Sequence, residues 1–250
     1  MSESRSGRTV VLPENAQEVA GVLEAARAGT GVVVPHWWGG PGDASSGGSG
    51  SLAGRSLVPL SVERMASVTE VSDGDLMAVV DGGITLGALA ESLREHALFW
   101  VPSEFEAPEA QVADVVARAP GNWTLQGNLI RRGVLGLDVV LADGALLKAG
   151  SRTVKCVTGY DLKQLFTGSR GCLGIIVGAT LRLDAEENRG PLMERYRREF
   201  RGLNDGTFVG LPEDEGDVGD GSLIILERLK REFDPDGVLA PVGITLLQEG

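Results

Sequence analysis

Val154-Lys-Cys-Val-Thr-Gly-Tyr-Asp-Leu-Lys-Gln-Leu-Phe-Thr-Gly-Ser-Arg-Gly-Cys-Leu-Gly-Ile-Ile176 is the stretch that decides the fold. Thr153, Val154 and Val157 begin it in a strand-like pattern, and Thr158-Gly159 reads as a turn. A short amphipathic helix is predicted from Asp161 to Phe166. Gly168, Gly171 and Gly174 follow in quick succession, and the apolar run Ile175-Ile176-Val177 predicts a buried strand. Glycine at this density lets a backbone come close to a ligand or to another strand.

N-terminal to this stretch, Val10-Val11-Leu12 predicts a short strand. Asn15 and Glu18 have capping-box spacing, and Val19, Val22, Leu23 and Ala26 recur at helical intervals. Gly31-Val-Val-Val-Pro35 lacks alternation, the pattern of a strand covered on both faces. This β-α-β unit predicts two parallel, adjacent strands with a right-handed crossover. Residues 36–54 form a long Gly/Ser/Asp-rich loop, a length that is usually functional or disordered. Three further strands are expected at Leu57–Leu60, Val68–Val71 and Leu76–Val80. Thr85 caps a helix carrying Leu86, Leu89, Leu93 and Ala97, and Trp100-Val-Pro102 reads as a short strand. Residues 103–128 carry little pattern beyond a helix over Ala110–Ala119. Asp143-Gly144 joins Val134–Leu141 to Ala145–Lys148 as a hairpin. A strand over Leu173–Leu183, a helical patch over Leu192–Phe200 and an amphipathic helix over 222–233 complete the pattern.

Composition narrows the function. The chain has 250 residues, 42% of them hydrophobic, with 36 glycines and 5% aromatics, which suits a loop-rich α+β protein with a real core. Its 23 basic and 35 acidic residues give a net charge of −12, and that field repels nucleic acid and anionic membranes. Two cysteines, Cys156 and Cys172, make neither a disulfide framework nor a metal motif, and buried inert thiols are expected. A reduced, cytoplasmic setting follows from that usage, and no stretch has the length of a membrane span. Two histidines, His36 and His96, exclude a histidine-rich metal centre.

The opening stretch resembles the V-K-N-V-T-G-Y-D-L-x-x-L-F-x-G-S-x-G-T-L-G-I-I segment of FAD-linked oxidases of the vanillyl-alcohol-oxidase type. Within that family the likeness is nearest to the glycolate oxidase E subunit. Val11–Ala20, Leu60–Met65, Val79–Leu86, Val134–Gly144 and Leu229–Leu239 look like further segments of the family's flavin domain. The resemblance implies an α+β, two-subdomain fold of the PCMH type with FAD between the subdomains, and not a Rossmann fold. It places the flavin domain at 1–183, with subdomains of about 1–60 and 61–183. A reduced cap remnant or acidic loop occupies 184–221, and a C-terminal helix and tail 222–250. It implies oxidation of a 2-hydroxy acid. The small cap implies work inside a heteromeric complex with a flavin subunit and an iron–sulfur subunit, cytoplasmic or held at the membrane by those partners.

The resemblance also nominates FAD contacts. Pro35, His36, Gly39, Gly40 and Gly42 belong to the loop matching P-x-G-G-G-T, which wraps the pyrophosphate in the family. Gly168, Ser169, Gly171, Gly174, Ile175 and Ile176 belong to the glycine segment. Two departures stand out. Trp37 and Trp38 replace loop glycines, and they either stack on a flavin or plug an empty site. Gln111-Val-Ala-Asp114 replaces T-V-G-G and sets a carboxylate where a diphosphate would run. Asp161 is expected as an N-cap, His96 as a helix-terminal cation, and Lys155 as a partner of a phosphate or an acidic neighbour. A catalytic base is not identifiable. The alternative function is a non-catalytic, partner-binding scaffold with the same fold and a degenerate flavin site.

Overall fold

The computed structural model describes residues 2–5, 8–37, 51–52, 54–120, 125–150, 161–199 and 220–241. Two sheets organise these residues. The first contains β1 (Ser2–Arg5), β2 (Arg8–Val11), β3 (Gly31–Pro35), β4 (Ser51–Leu52) and β5 (Arg55–Leu60). Its order is β1-β2-β5-β3, with β4 paired to β5. The second contains β6 (Val68–Ser72), β7 (Met77–Asp81), β9 (Val134–Val140), β10 (Leu146–Gly150) and β11 (Ile175–Arg182) in the order β10-β9-β11-β7-β6. Neighbours in this second sheet are antiparallel throughout. A small pair, β8 (Leu98–Phe99) and β12 (Asp184–Ala185), stands apart.

Helix α1 (Ala16–Ala28) starts as its sequence dictates. The Asn15 side chain accepts from the Glu18 amide at 2.9 Å, and Glu18 reaches back to the Glu14 amide at 3.0 Å. Val19, Leu23 and Ala26 are buried against β3. The expected adjacency of β2 and β3 is corrected: both run parallel to β5, and β5 lies between them. Short-range patterning fixes the crossover hand but not whether a later strand is inserted. The unbroken Val32-Val33-Val34 run is covered on both faces, as its lack of alternation requires. Val33 joins the main core, while Val32 and Val34 pack with Ala240 of the C-terminal tail.

Helix α2 (Leu86–Arg94) is capped by Thr85, whose hydroxyl accepts from Ala88 N at 3.3 Å. It ends at Arg94, so Ala97 falls outside it, with a positive φ of 52°. Trp100–Pro102 is not a strand. The strand is Leu98–Phe99, and Val101–Phe105 forms a 3-10 turn with Pro102 in its first turn. Helix α3 (Val112–Ala117) lies inside the expected span. Helix α4 (Leu125–Gly133) has no counterpart in the sequence reading, because Gly127 and Asn128 weaken its pattern and β9 follows without a spacer. Helix α5 (Lys163–Phe166) is a single turn, and α6 (Arg189–Glu199) and α7 (Asp220–Phe233) follow. One continuous apolar cluster joins the sheets, from Val19, Leu23 and Val33 to Val139, Ile176 and Leu181.

The tail after α7 is fastened by buried charge. Asp234 accepts from the Val238 and Leu239 amides, each at 2.8 Å, and pairs with Lys230. Lys230 Nζ also donates to the carbonyls of Cys172 at 2.9 Å and Leu239 at 3.2 Å. Arg55 donates to the carbonyls of Gly31 at 2.7 Å and Gly237 at 2.6 Å. These contacts dock the tail beside β3, where Val33 N donates to Val238 O at 2.7 Å.

Candidate functional site

Among the described residues, a cleft forms where the end of β3 and the residues after β5 meet α3 and the segment leading into β11. Pro35, His36, Trp37, Leu60, Ser61 and Val62 line one side. Ala113, Asp114, Ala117, Gly171, Gly174, Ile175 and Ile176 line the other. Its free volume is about 40 Å³.

Two cleft residues must be glycine, Gly171 because the walls approach closely and Gly174 because β9 packs behind it. Gly171 has a φ of +79°, and a Cβ there would lie 2.8 Å from Pro35 Cγ. A Cβ on Gly174 would lie 2.5 Å from Val139 Cγ1. Both residues line the cleft with bare backbone.

Asp114 sits at the centre. Trp37 Nε1 donates to its Oδ1 at 2.7 Å, and His36 Nε2 lies 3.6 Å from its Oδ2. The Arg118 guanidinium lies 5.4 Å from the centroid of the Trp37 ring, and its Nε is buried without a hydrogen-bond partner. Burial raises the Asp114 carboxyl above its ordinary range, while His36, the Trp37 indole and Arg118 pull it back in part. Glu106 is also raised by burial, countered by Gln126, which donates to it, and by Arg118. Arg118 thus serves two carboxylates from one helix terminus.

Of the residues nominated by sequence, Pro35, His36, Gly171, Gly174, Ile175 and Ile176 come together in this cleft. Gly168 and Ser169 do not line it. Gly168 N donates to Val116 O at 2.9 Å, and Ser169 is buried with an unpartnered Oγ. Gly39, Gly40, Gly42, Trp38, Lys155, Cys156 and Tyr160 lie outside the described residues. Asp161 does not cap α5: its carboxylate takes Lys163 Nζ at 2.6 Å, and Leu162 occupies the N-cap position. His96 lies just past the end of α2 and pairs with Asp73 at 2.8 Å. Cys172 is buried and its thiol is pushed up to about 11 by desolvation. Ser61 and Arg118 were not anticipated. Arg118 was findable from its i, i+4 spacing to Asp114. Ser61, which accepts from Gln111 Nε2 at 3.3 Å, carried no local signal.

Comparison with known proteins assigns the family. The profile of a FAD binding domain matches residues 8–150, more than half the chain, and the chain belongs to that family. The probable mitochondrial D-lactate dehydrogenase of Danio rerio is 34% identical over 70% of this chain and 34% of its own length. The D-lactate dehydrogenase of Archaeoglobus fulgidus is 34% identical over 70% of this chain and 38% of its own. The glycolate oxidase subunit GlcD of Bacillus subtilis is 30% identical over 70% of this chain and 36% of its own. The chain therefore spans about a third of the length of these relatives. An alkyldihydroxyacetonephosphate synthase shares the fold, with a TM-score of 0.53 and 21% identity over 71% of this chain and 31% of that one. The α+β, PCMH-type architecture expected from the sequence is the one present.

The cleft residues fit FAD unequally. The bare backbone at Gly171 and Gly174 and the apolar walls of Pro35, Ile175 and Ile176 suit a cradle for a flat, polar-edged cofactor. Trp37 and Asp114 do not fit, because their side chains hydrogen-bond across the cleft and set a carboxylate there. Among the described residues there is no cluster able to hold a metal ion, and no helix is long and apolar enough to cross a membrane.

Proposed function

We propose that this chain is the flavin-binding unit of a FAD-dependent oxidoreductase that oxidises a 2-hydroxy acid within a heteromeric complex. The observation that carries the reading is the match of residues 8–150 to a FAD binding domain, folded as two sheets around a glycine-walled cleft. Its relatives include D-lactate dehydrogenase, D-2-hydroxyglutarate dehydrogenase and a glycolate oxidase subunit, and they support a small 2-hydroxy acid as substrate. The glycolate oxidase subunit among these relatives supports work beside further subunits, a second flavin subunit and an iron–sulfur subunit, that supply substrate binding and electron transfer.

When bound, FAD supplies two-electron chemistry that no side chain offers. The chain's own residues would bind and exclude: Gly171 and Gly174 would give the cofactor room beside bare backbone, and Ile175, Ile176 and Pro35 would supply the apolar walls that exclude water. The test is an equilibrium titration of the purified chain with FAD, followed by anaerobic addition of D-lactate, D-2-hydroxyglutarate or glycolate with the partner subunits present. Saturable flavin binding and bleaching of the flavin band support the reading. A folded chain that leaves the flavin spectrum unchanged contradicts it.

A second reading has its own observation. The Trp37–Asp114 hydrogen bond spans the cleft, which favours a non-catalytic scaffold that binds partners through the same fold. Assembly with partner subunits at full strength without flavin would favour it.

A further inference from the structure

The two walls of the cleft are joined from outside it. Helix α7 and the tail lend no residue to the lining, yet they reach both walls. On one side the tail lies along β3. Val33 N donates to Val238 O at 2.7 Å, Val33 pairs in parallel with Leu239, and β3 then runs through Pro35 into the lining. Arg55 adds a second tie there, to the Gly237 carbonyl at 2.6 Å. On the other side Lys230 Nζ donates to Cys172 O at 2.9 Å, and Cys172 stands between the lining residues Gly171 and Gly174. Further along α7, Phe233 meets Phe166 edge to face, with ring centroids 6.0 Å apart. Phe166 is packed against Gly174, where a Cβ would lie 3.5 Å from its ring. Asp234 locks the two sides together. Its side chain is fully buried, and it takes Lys230 and the Val238 and Leu239 amides at once.

An ammonium has three donors, and Lys230 spends them on Asp234, Leu239 O and Cys172 O. Its position is therefore fixed by the tail, and the Cys172 carbonyl is fixed by it. The walls come closest where Gly171 faces Pro35, a contact without room for a Cβ. We propose that α7 and the tail brace the cleft, with Lys230 and Phe233 as positioning residues that hold the glycine wall against Pro35. The consequence for cofactor affinity rests on reading the cleft as the flavin cleft; the bracing itself does not.

The experiment compares the full chain with Lys230→Met, Phe233→Leu and Leu93→Ala. Leu93 is buried on α2, which lends nothing to the lining or the brace, so its truncation lowers stability without touching either. Nuclear magnetic resonance reads the backbone amides of Gly171 and Gly174 and the indole N–H of Trp37, which donates to Asp114 across the cleft. Lys230→Met should shift all three signals and speed solvent exchange of the Trp37 indole proton by about tenfold. Phe233→Leu keeps an apolar side chain, so it should fold, and it should shift the Gly174 amide. Leu93→Ala should leave the signals in place. Titration with FAD should show about tenfold weaker binding in Lys230→Met and unchanged binding in Leu93→Ala. Native signal positions in Lys230→Met, or equal shifts in Leu93→Ala, would overturn the brace and leave the flavin reading standing. If Lys230→Met does not fold, the Gly174 amide of Phe233→Leu against that of Leu93→Ala decides alone. Shifted signals in the brace variants with no FAD binding by any of the proteins would keep the brace and overturn the flavin reading.

Discussion

Asp114 and Cys172 show how burial, more than neighbouring charge, decides the state of a single residue. Desolvation raises the Asp114 carboxyl above 3.8 in the folded chain, so folding favours its protonated form. The stability this contributes is fully present below the unfolded value and is lost as pH rises through the raised one. Asp114→Asn should therefore raise the melting temperature at pH 7 to 8, with the gain shrinking toward pH 4. Thermal melts across that range check it, and a uniform loss of stability would contradict it. The Cys172 thiol is also raised by burial, to about 11, and it is 2% exposed. In a Cys156→Ser background, a thiol reagent at pH 8 should label Cys172 only as fast as the chain unfolds. Rapid labelling of the native protein would show that the packing around Cys172 opens.

The docking of α7 and its tail depends on one lysine at the scale of the element. Lys230 holds Asp234 and the carbonyls of Cys172 and Leu239, linking α7, the tail and the glycine segment before β11. Removing one partner of a buried pair leaves the other charge unpaired. Lys230→Met should thus destabilise the chain by about 3–5 kcal/mol, read from urea denaturation. A loss below about 1 kcal/mol would mean that the tail is held by Arg55 and apolar packing alone. The same elements show what local sequence reveals. Asn15 and Thr85 marked their helices because a cap is a local chemical event, and Asp143-Gly144 marked its hairpin for the same reason. Helix α4 was invisible because tertiary packing of Leu129 and Ile130, and not propensity, holds it. The insertion of β5 between β2 and β3 was invisible because strand order is decided by pairings distant in sequence.

The cleft is a property of the whole molecule. It exists because one apolar core joins two sheets, with α3 and the glycine segment lining the space where they meet. Pro35, His36, Gly171, Gly174, Ile175 and Ile176 were legible because they sit in runs that resemble a known flavin domain. The grouping of Asp114 with Trp37 and Arg118 was not legible, because 77 residues separate the two ends of the hydrogen bond that joins them. Gly171→Val, which forces a side chain into a φ of +79° against Pro35, should cut flavin binding through the geometry of this cleft. Retained flavin affinity in that variant would show that the cofactor does not run past Pro35. The measurement that bears most on the central claim is an equilibrium titration of FAD against the purified chain. The account predicts one saturable site. A folded protein that leaves the flavin spectrum unchanged would contradict it.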